Sequence, residues 1–397
     1  MGEDPRVSVI SQPVTLPCGL VLDNRIVKAA MEPCLANKGR PSKQHITLHS
    51  KWSQGKFGLI ISENVQVSAK YLSTPHDVFI LPEDEDNIPK TWIDWAEASK
   101  IPTLIQLSHA GRQSCRGLGR WVWENSVGPS PLRMTIGNRP IDRLTSWMLF
   151  NEVEELTKDD IRSLVETFAS SANFVYKAGF QGIQLHCSHG YLLSQFLSPK
   201  TNLRTDEYGG TPLNRMRFIF DIISAVRRKL PKSFCLSVKL NSGDYNNVKM
   251  IVEHGGVDLI EISGGTYENV AFMNEPGEVC TSSKTPNGSR GAFFVEFSSR
   301  ARQVARSSSE EFKKSCPLII TTGGFRSRKV IAEAISSGKT DAVALGRPAC
   351  LDPFVASKIL DSEMEDYTFL DPYIPGSELW KTLMPVQLVG VGFRTVW

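Results

Sequence analysis

The densest group of chemically capable side chains lies in one segment, His186-Cys187-Ser188-His189-Gly190-Tyr191. The two imidazoles are three residues apart and the phenol follows two residues later, so a turn at Gly190 would bring all three together. Imidazole N–H groups can polarise a carbonyl oxygen, and a tyrosine hydroxyl can deliver a proton. Two other interpretations stay open here. Two histidines and a cysteine suit zinc, although no fourth ligand cluster is evident, and the histidines could form a satisfied pair in the core.

A second group of residues has the composition of a phosphate site. Thr322-Gly323-Gly324-Phe325-Arg326 and Leu345-Gly346-Arg347-Pro348 each follow an apolar run near the end of the chain. Glycines let backbone N–H groups approach phosphate oxygens, and an arginine adds a charge-assisted hydrogen bond. Glycines after strands are also typical of simple turns. The prediction of a phosphate site therefore depends on the occurrence of both segments, one after each of the last two apolar runs.

The elements that must position these residues are eight short apolar runs that alternate with amphipathic stretches. They predict strands at 26–31, 58–67, 102–108, 182–187, 234–240, 257–263, 317–322 and 341–346. Continuous apolar runs of this length are typical of buried parallel strands. Helix signals lie between them, with Thr157 as an N-cap, Thr211-Pro212 at another start, and Gly338 ending a helix over 329–337. Eight such units predict an α/β fold, a (β/α)8 TIM barrel that forms a single domain over 1–397.

An open doubly wound sheet is the competing architecture, but no Gly-x-Gly-x-x-Gly joins the first strand to its helix. We also expect an N-terminal hairpin over 14–22, turning at Cys18-Gly19, that closes the bottom of the barrel. Long insertions at 109–156 and 264–292 follow strands 3 and 6, at the barrel face that carries active sites. Candidate wall residues there are Arg112, Trp121, Trp123, Tyr267 and Phe272. Packing is an equal alternative for the last two, and His109 either faces the pocket or holds the loop.

The sequence from His189 to Arg217 reads HGYLLSQFLSPKTNLRTDEYGGTPLNRMR. Together with His186, it forms the pattern His-x-x-His-Gly-Tyr-Leu-Leu-x-Gln-Phe-Leu-Ser-Pro, followed by Asn-x-Arg-x-Asp-x-Tyr-Gly-Gly and Asn-Arg. This pattern resembles the old yellow enzyme family of FMN-dependent NADH:flavin oxidoreductases. The resemblance extends from about residue 13 to residue 353. It implies a TIM barrel that binds one FMN non-covalently at its C-terminal mouth.

The resemblance implies a role for each matching residue. Ala30, Met31 and Glu32 would pass along the isoalloxazine, Asn64 would lie near the flavin, and Gln106 would bond the pyrimidine edge. An amide suits that edge because it offers both a donor and an acceptor. Lys239 would stabilise the reduced flavin near N1 and C2=O, and its apolar neighbours favour an inward position over a surface one. The remaining cofactor-binding residues would be His186 at the ring and Gly323, Gly324, Phe325, Gly346 and Arg347 at the phosphate.

Two features depart from the family pattern. Glu32 stands, before Pro33, where relatives carry Thr, Ser or Cys beside flavin O4 and N5. An ionised carboxylate there would disfavour the reduced anionic flavin, whereas a protonated one would donate a hydrogen bond or act as a catalytic acid or base. A shift of one residue in register would instead point it away. The segment 392–397 also indicates a C-terminus shorter than that of relatives.

The reaction that the resemblance implies is reduction of an activated C=C bond. NADPH or NADH would pass hydride to flavin N5. His186 and His189 would hold the oxygen of an α,β-unsaturated carbonyl. Hydride would then go from the flavin to the β-carbon, and Tyr191 would protonate the α-carbon. One alternative keeps the flavin but catalyses isomerisation, dehydrogenation or cyclisation with Glu32 as acid or base. Others are a flavin-free lyase with Lys239 as a Schiff-base amine, and a non-catalytic binding protein.

Composition limits the remaining possibilities. The 397 residues are 41% hydrophobic and 22% charged with a net charge of +3, which gives no electrostatic footprint for nucleic acid. No apolar run approaches the roughly 18 residues of a membrane span, and no apolar leader follows Met1. Eight scattered cysteines without a Cys-x-x-Cys pair predict reduced, mostly buried thiols. We therefore expect a cytoplasmic enzyme with a small-molecule substrate, no bound metal and a possible homodimer.

Overall fold

The computed structural model describes residues 4–85, 87–137, 139–241, 245–263, 295–364 and 367–369. Its strands are β1 (Val14–Thr15), β2 (Val21–Leu22), β3 (Ile26–Lys28), β4 (Leu59–Gln66), β5 (Val78–Phe79), β6 (Thr103–Ser108), β7 (Ser126–Gly128), β8 (Val153–Glu155), β9 (Gly182–Cys187), β10 (Cys235–Asn241), β11 (Leu259–Ser263), β12 (Leu318–Thr322) and β13 (Ala342–Leu345). Its helices are α1 (Pro5–Ser11), α2 (Lys43–Gln54), α3 (Lys90–Ala98), α4 (Pro140–Leu149), α5 (Lys158–Lys177), α6 (Leu192–Leu197), α7 (Pro212–Lys229), α8 (Tyr245–His254), α9 (Val295–Phe312), α10 (Arg328–Ser336), α11 (Arg347–Leu351) and α12 (Val355–Ile359).

Eight parallel strands close into a barrel in the order β3-β4-β6-β9-β10-β11-β12-β13, because β3 pairs with both β4 and β13. All eight are the strands that the apolar runs predict, and the TIM barrel is confirmed. Strands that are covered on both faces need apolar residues at nearly every position, which is why their runs are continuous. The short strand β5 continues the sheet beside β4.

The predicted hairpin is also confirmed. Strands β1 and β2 pair antiparallel, and Gly19 in the turn between them has a φ of +89°. Leu16 and Leu22 of the hairpin pack into a buried cluster with inward side chains of the barrel, among them Leu59 and Leu104. The hairpin therefore closes the end of the barrel at which the strands begin.

The helix starts follow from local capping. The Thr157 hydroxyl accepts from the Asp160 N–H at 3.1 Å, and the Asp160 carboxylate accepts from the Thr157 N–H at 2.9 Å, which forms a capping box before α5. The Thr211 hydroxyl likewise accepts from the Asn214 N–H, with Pro212 as the first residue of α7. Gly338 follows α10 with a φ of +70°, a conformation that favours glycine.

The insertion over 109–156 carries the parallel pair β7 and β8 together with α4. The other predicted insertion, over 264–292, and the C-terminal segment 392–397 lie outside the described residues. Within the described ranges, no helix has the length and apolar character needed to cross a bilayer. The seven described cysteines are all free.

Candidate active site

A layer of polar side chains lies inside the barrel, next to the apolar cluster that the hairpin closes. Side chains alternate along a strand, so Gln106, Gln184, Lys239 and Glu261 share the inner face with Leu104, Gly182, Cys235 and Leu259 respectively. All four polar side chains are buried. They belong to four adjacent strands, from β6 to β11.

Hydrogen bonds join this layer into one network. Gln106 Nε2 donates to Gln184 Oε1 at 2.6 Å, and Gln184 Nε2 donates to Glu261 Oε2 at 2.9 Å. Lys239 Nζ lies 2.9 Å from Glu261 Oε1, and the Thr322 hydroxyl also donates to that oxygen. The buried ammonium and carboxylate therefore neutralise each other, as buried charges require.

Gln184 and Glu261 are site residues that the sequence analysis missed. A usable signal existed, because each is a single polar residue at an inward position of an otherwise apolar strand (GIQLHC and LIEIS). A buried polar group needs a partner, so such residues mark polar layers of a barrel. Lys239 occupies an inward, 2%-exposed position, as its apolar neighbours favour.

The His186-to-Tyr191 segment leaves the end of β9 in a tight turn. His189 and Gly190 have φ values of +60° and +77°, and the second position favours glycine because it has no Cβ. The turn brings the His186 ring to 5.1 Å from the His189 ring and 4.7 Å from the Tyr191 ring, measured between centroids. Three groups that could bind and protonate a carbonyl compound therefore lie at the carboxyl end of one barrel strand, where TIM barrels carry active sites.

Both imidazoles are held in place and are neutral. The Ser188 hydroxyl lies 3.2 Å from His186 Nδ1, and the Ser263 hydroxyl lies 3.1 Å from His189 Nε2. Burial lowers the pKa of His186 well below its ordinary value, and His189 and Lys239 lower it further. Burial and then Lys239 lower the pKa of His189 to about 3. A neutral imidazole has one N–H to donate, so each ring can contribute a single hydrogen bond to an oxygen.

The zinc interpretation of this segment finds no support in the part of the chain that the structure describes. Cys187 packs into the core outside the barrel, as the alternation along β9 requires. Of the described histidines, only His45 and His49 belong to a group with metal-ligand spacing, and neither is in this segment.

Asn64 contacts the same cluster. A bulge in β4 between Ile61 and Asn64 shifts the pairing with β6, and Asn64 then lies opposite Gln106. Asn64 Nδ2 donates to the Tyr191 hydroxyl at 3.2 Å. The residue expected near the flavin therefore acts directly on the candidate proton donor in this structure.

Glu32 lies just beyond β3, after the partly exposed Ala30 and Met31. Its side chain is partly exposed overall, but Oε2 is buried and lacks a hydrogen-bond partner among the described residues. Burial, then Asp77 and Glu63, raise the pKa of Glu32 well above its ordinary value. Burial therefore favours the protonated form of this carboxyl relative to a carboxyl in water.

The two glycine segments end adjacent strands. Gly323 and Gly324 follow β12 with φ values of +120° and +78°, so their backbone adopts a conformation that side chains disfavour. Gly346 precedes α11, in which Arg347 is the first residue, and a Cβ at Gly346 would lie 3.0 Å from Met31 Sδ. Phe325 is buried in the cluster outside the barrel. The left-handed backbone at Gly323 and Gly324 and the position of Arg347 at the next strand end are the features of this corner that suit an anion.

The predicted wall residues differ in position. Arg112 is buried, whereas Trp121 and Trp123 are 67% and 71% exposed and stack on each other with centroids 5.3 Å apart. Most of the area of these two tryptophans is exposed, so they lie at the surface of the described part of the chain. Tyr267 and Phe272 lie outside the described residues.

His109 holds the start of the long insertion. The Gly111 N–H donates to His109 Nδ1 at 3.0 Å, and the Tyr71 ring lies 5.0 Å away. Burial lowers the pKa of His109 to about 3, so the ring is neutral. Its Nε2 atom is buried without a partner in the described part of the chain.

Known protein families and proteins resemble this chain over most of its length. A model of the NADH:flavin oxidoreductase / NADH oxidase family matches residues 10–366. The chain is 35% identical over 372 residues to the NADH-dependent flavin oxidoreductase iliE of Hypocrea jecorina, which covers 90% of each protein. It is 35% identical over 406 residues to the protein of the same name from Neonectria, covering 97% of this chain and 51% of that one.

Solved structures show the same fold. The old yellow enzyme homologue from Zymomonas mobilis superposes with a TM-score of 0.70 at 20% identity, over 91% of this chain and 94% of that one.

Proposed function

Because the chain belongs to the NADH:flavin oxidoreductase / NADH oxidase family, which the old yellow enzymes exemplify, we propose that it reduces an activated carbon–carbon double bond. As a member of this family it is an FMN-dependent oxidoreductase that takes its reducing equivalents from NADH or NADPH. The proposed substrate is a small α,β-unsaturated carbonyl compound.

The residues inside the barrel mouth fit FMN. Gln106 offers an amide and Lys239 an ammonium to the polar edge of a flat ring. The left-handed backbone at Gly323 and Gly324, with Arg347 on the next strand end, suits a phosphate. Bound FMN supplies the hydride that passes between the nicotinamide and the substrate. This chain's own residues bind the substrate, orient it and move the proton.

The observation that carries the proposal is the convergence of His186, His189 and Tyr191 at the end of β9. The Ser188 hydroxyl can donate to His186 Nδ1, which leaves Nε2–H of His186 as the donor to a substrate oxygen. Neutral rings donate without adding a buried charge. Two such hydrogen bonds would withdraw electrons from an enone carbonyl and make its β-carbon a hydride acceptor.

Tyr191 is the proposed proton donor to the α-carbon. Its ring packs against His186, so its hydroxyl would lie close to an oxygen bound by that imidazole. The Asn64 amide donates to the Tyr191 oxygen at 3.2 Å, and a donor at that oxygen stabilises the phenolate left after the proton has moved. Asn64 is therefore a positioning residue for this step.

Tyr191→Phe tests the assignment by stopped-flow spectroscopy of the two half-reactions. We expect bleaching of the flavin by NADH or NADPH to keep its rate, while reoxidation by 2-cyclohexenone slows by roughly 10²- to 10⁴-fold, the usual contribution of a general acid. Tyr176→Phe is the matched control, since Tyr176 is 46% exposed on α5. Unchanged reoxidation in Tyr191→Phe, or equal slowing of both halves, would refute the role.

One observation favours a second candidate function. The Glu32 carboxyl has a raised pKa, and its buried Oε2 lacks a hydrogen-bond partner among the described residues, which are properties of a catalytic acid or base. In that case the net chemistry would be isomerisation, dehydrogenation or cyclisation on the bound flavin. Membership of the flavin family excludes the two remaining alternatives, the flavin-free lyase and the inert binding protein.

Product analysis separates the two candidates. Under our proposal each product molecule carries two additional hydrogens and consumes one NADH or NADPH, and Glu32→Gln keeps this ratio. Under the alternative, an isomer or a ring-closed product forms without net consumption of nicotinamide, or an oxidised product forms as the flavin is reduced. Glu32→Gln then abolishes formation of that product. Mass spectrometry of the products with a panel of enones, alongside nicotinamide absorbance, reads out both.

A further inference from the structure

A second cluster of chemically capable side chains lies outside the barrel, between strand β4 and helix α2. His45 and His49 are one helical turn apart on α2 and therefore share a face. They face Glu63 of β4, whose side chain points out of the barrel. All three side chains are at most 1% exposed.

We propose that His45, His49 and Glu63 form a structural metal site for a divalent first-row transition ion, with Zn²⁺ as the best match. One imidazole nitrogen from each histidine and a carboxylate oxygen, all within 4.8 Å of one another, make up the ligand set. Imidazole and carboxylate ligands suit zinc, which takes four ligands in a tetrahedron. This proposal is independent of the reaction proposed above.

The distances between the ligand atoms support a shared ion. Zinc bonds of 2.0–2.2 Å to nitrogen and oxygen place tetrahedral ligand atoms about 3.4 Å apart. His49 Nε2 and Glu63 Oε2 are 3.4 Å apart. His45 Nε2 is 2.5 Å from the other carboxylate oxygen, Oε1, so the two histidines meet different oxygens of Glu63. An ion between His45 and Glu63 would require these two groups to separate by roughly 0.9 Å. Water would take the fourth position.

The cluster is poorly satisfied as a purely hydrogen-bonded group. His49 Nε2 and Glu63 Oε2 share one long hydrogen bond of 3.4 Å. His45 Nε2 and Glu63 Oε1 are 2.5 Å apart as an ion pair, but neither atom has a hydrogen-bond partner among the described residues. The Nδ1 atoms of His45 and His49 are likewise buried without a partner in the described part of the chain. Buried polar atoms without partners are costly, and an ion that accepted the Nε2 and carboxylate lone pairs would satisfy part of this set.

Charge in the cluster is compatible with a cation. The Glu63 carboxylate and the imidazole nitrogens are the types of group that bind a divalent transition ion. Lys28 is the nearby opposing charge. Its Nζ lies over the Trp52 ring at 4.1 Å and donates to the Ile61 carbonyl at 3.0 Å rather than to Glu63.

Aromatic rings enclose the site and would make the ion slow to leave. The Trp95 ring lies 4.5 Å from the His45 ring and 4.9 Å from the His49 ring, and Trp52 lies 4.9 Å from His49. A sealed site of this kind is filled as the chain folds, since metal binding and folding are coupled. The ion would fasten α2 to β4 one residue before Asn64, which contacts Tyr191.

The test measures metal in the intact FMN-containing protein. Cells supplied with Zn²⁺ would produce the wild-type chain, His45→Asn, His49→Gln and Glu63→Gln, together with His76→Gln as a control at an exposed histidine. After a chelator wash, mass spectrometry of the metal content gives zinc per chain. We expect about one zinc in the wild type and in His76→Gln, and at least a tenfold loss in each of the other three, because even indirect support of a metal ligand is worth 10- to 100-fold in affinity. Flavin absorbance of each variant reports that it has folded.

A second measurement keeps the proposal falsifiable if a variant does not fold. The wild-type protein would be unfolded, freed of metal, and refolded with FMN and either Co²⁺ or no metal. Tetrahedral Co²⁺ bound to nitrogen and oxygen ligands gives visible absorption bands, and we expect them at one ion per chain. A wild type that retains no zinc and takes up no Co²⁺ on refolding would overturn the proposal, and so would equal zinc in the wild type and in folded His49→Gln.

Discussion

The buried ion pair between Lys239 and Glu261 leads to a quantitative prediction about stability. Lys239 Nζ and Glu261 Oε1 are 2.9 Å apart, and the two side chains are 3% and 0% exposed. At an effective dielectric constant of 20 this separation corresponds to about 6 kcal/mol of attraction. Desolvation of both charges opposes most of this, so the pair as a whole contributes little net stability, whereas removal of one partner leaves a buried charge unpaired.

The single and double variants should therefore differ in a characteristic way. Glu261→Gln leaves the ammonium without a carboxylate and should lower the free energy of unfolding by about 3–5 kcal/mol. Lys239→Met leaves Glu261 with donors from Gln184 and Thr322, each worth about 1.5–3 kcal/mol to a charged group, so its cost should be at the lower end of that range. The double variant should lose no more than about 2 kcal/mol.

Urea unfolding followed by tryptophan fluorescence would measure these free energies, both without flavin and with saturating FMN. The comparison separates the effect of the ion pair from the effect of any contact between Lys239 and the cofactor. The exposed pair Lys249 and Glu311, 3.3 Å apart, is the matched control. Lys249→Met and Glu311→Gln should each cost less than about 1 kcal/mol. A double variant whose loss equals the sum of the two single losses, or a Glu261→Gln cost below about 1 kcal/mol, would refute the reasoning.

Two further predictions follow from single residues. Because its pKa is raised in the folded state, Glu32 contributes stability that is complete below its unfolded pKa and is lost as the pH rises through the folded value. Glu32→Gln removes that loss, so the melting temperature of the variant should rise relative to that of the wild type as the pH increases from 5 to 9. A difference in melting temperature that stays constant over this pH range would show that the pKa of the carboxyl is not raised. Gly324→Ala adds a Cβ at a φ of +78°, which should cost about 1 kcal/mol or more and weaken FMN binding, as fluorescence titration would show. Gly210→Ala, at a φ of +75° with open space around it, is the control that should destabilise the protein without changing FMN affinity.

Much of the architecture could be predicted because it depends on local patterns. Each apolar run specifies a strand that is covered on both faces, and the caps at Thr157 and Thr211 specify helix starts through bonds to residues three positions away. Alternation along a strand also predicts that Lys239 points inward, since its neighbours in sequence pack outside the barrel. The turn at Gly190 could also be predicted from sequence, because a residue with a positive φ there depends only on the local residue types.

Other features depended on pairing between distant segments. The bulge in β4 separates Glu63, which points outward to α2, from Asn64, which points inward to Tyr191. Strict alternation predicts opposite faces for these neighbours, but the irregular pairing decides which residue takes which face. In the same way, Trp121 and Trp123 have the composition of pocket residues and yet stack on the surface.

The sequence by itself determined the number and type of the elements, their order and the residues at the end of β9, because periodicity, capping and turn residues act over a few positions. Tertiary structure alone decided that Gln184 meets Glu261, 77 positions away, and that His45 and His49 meet Glu63. Those contacts depend on the stagger of strands around a closed barrel and on how a helix packs against it. Burial then lowered the pKa values of His186 and His189 and raised that of Glu32, since desolvation is a property of the packed molecule and not of the chain.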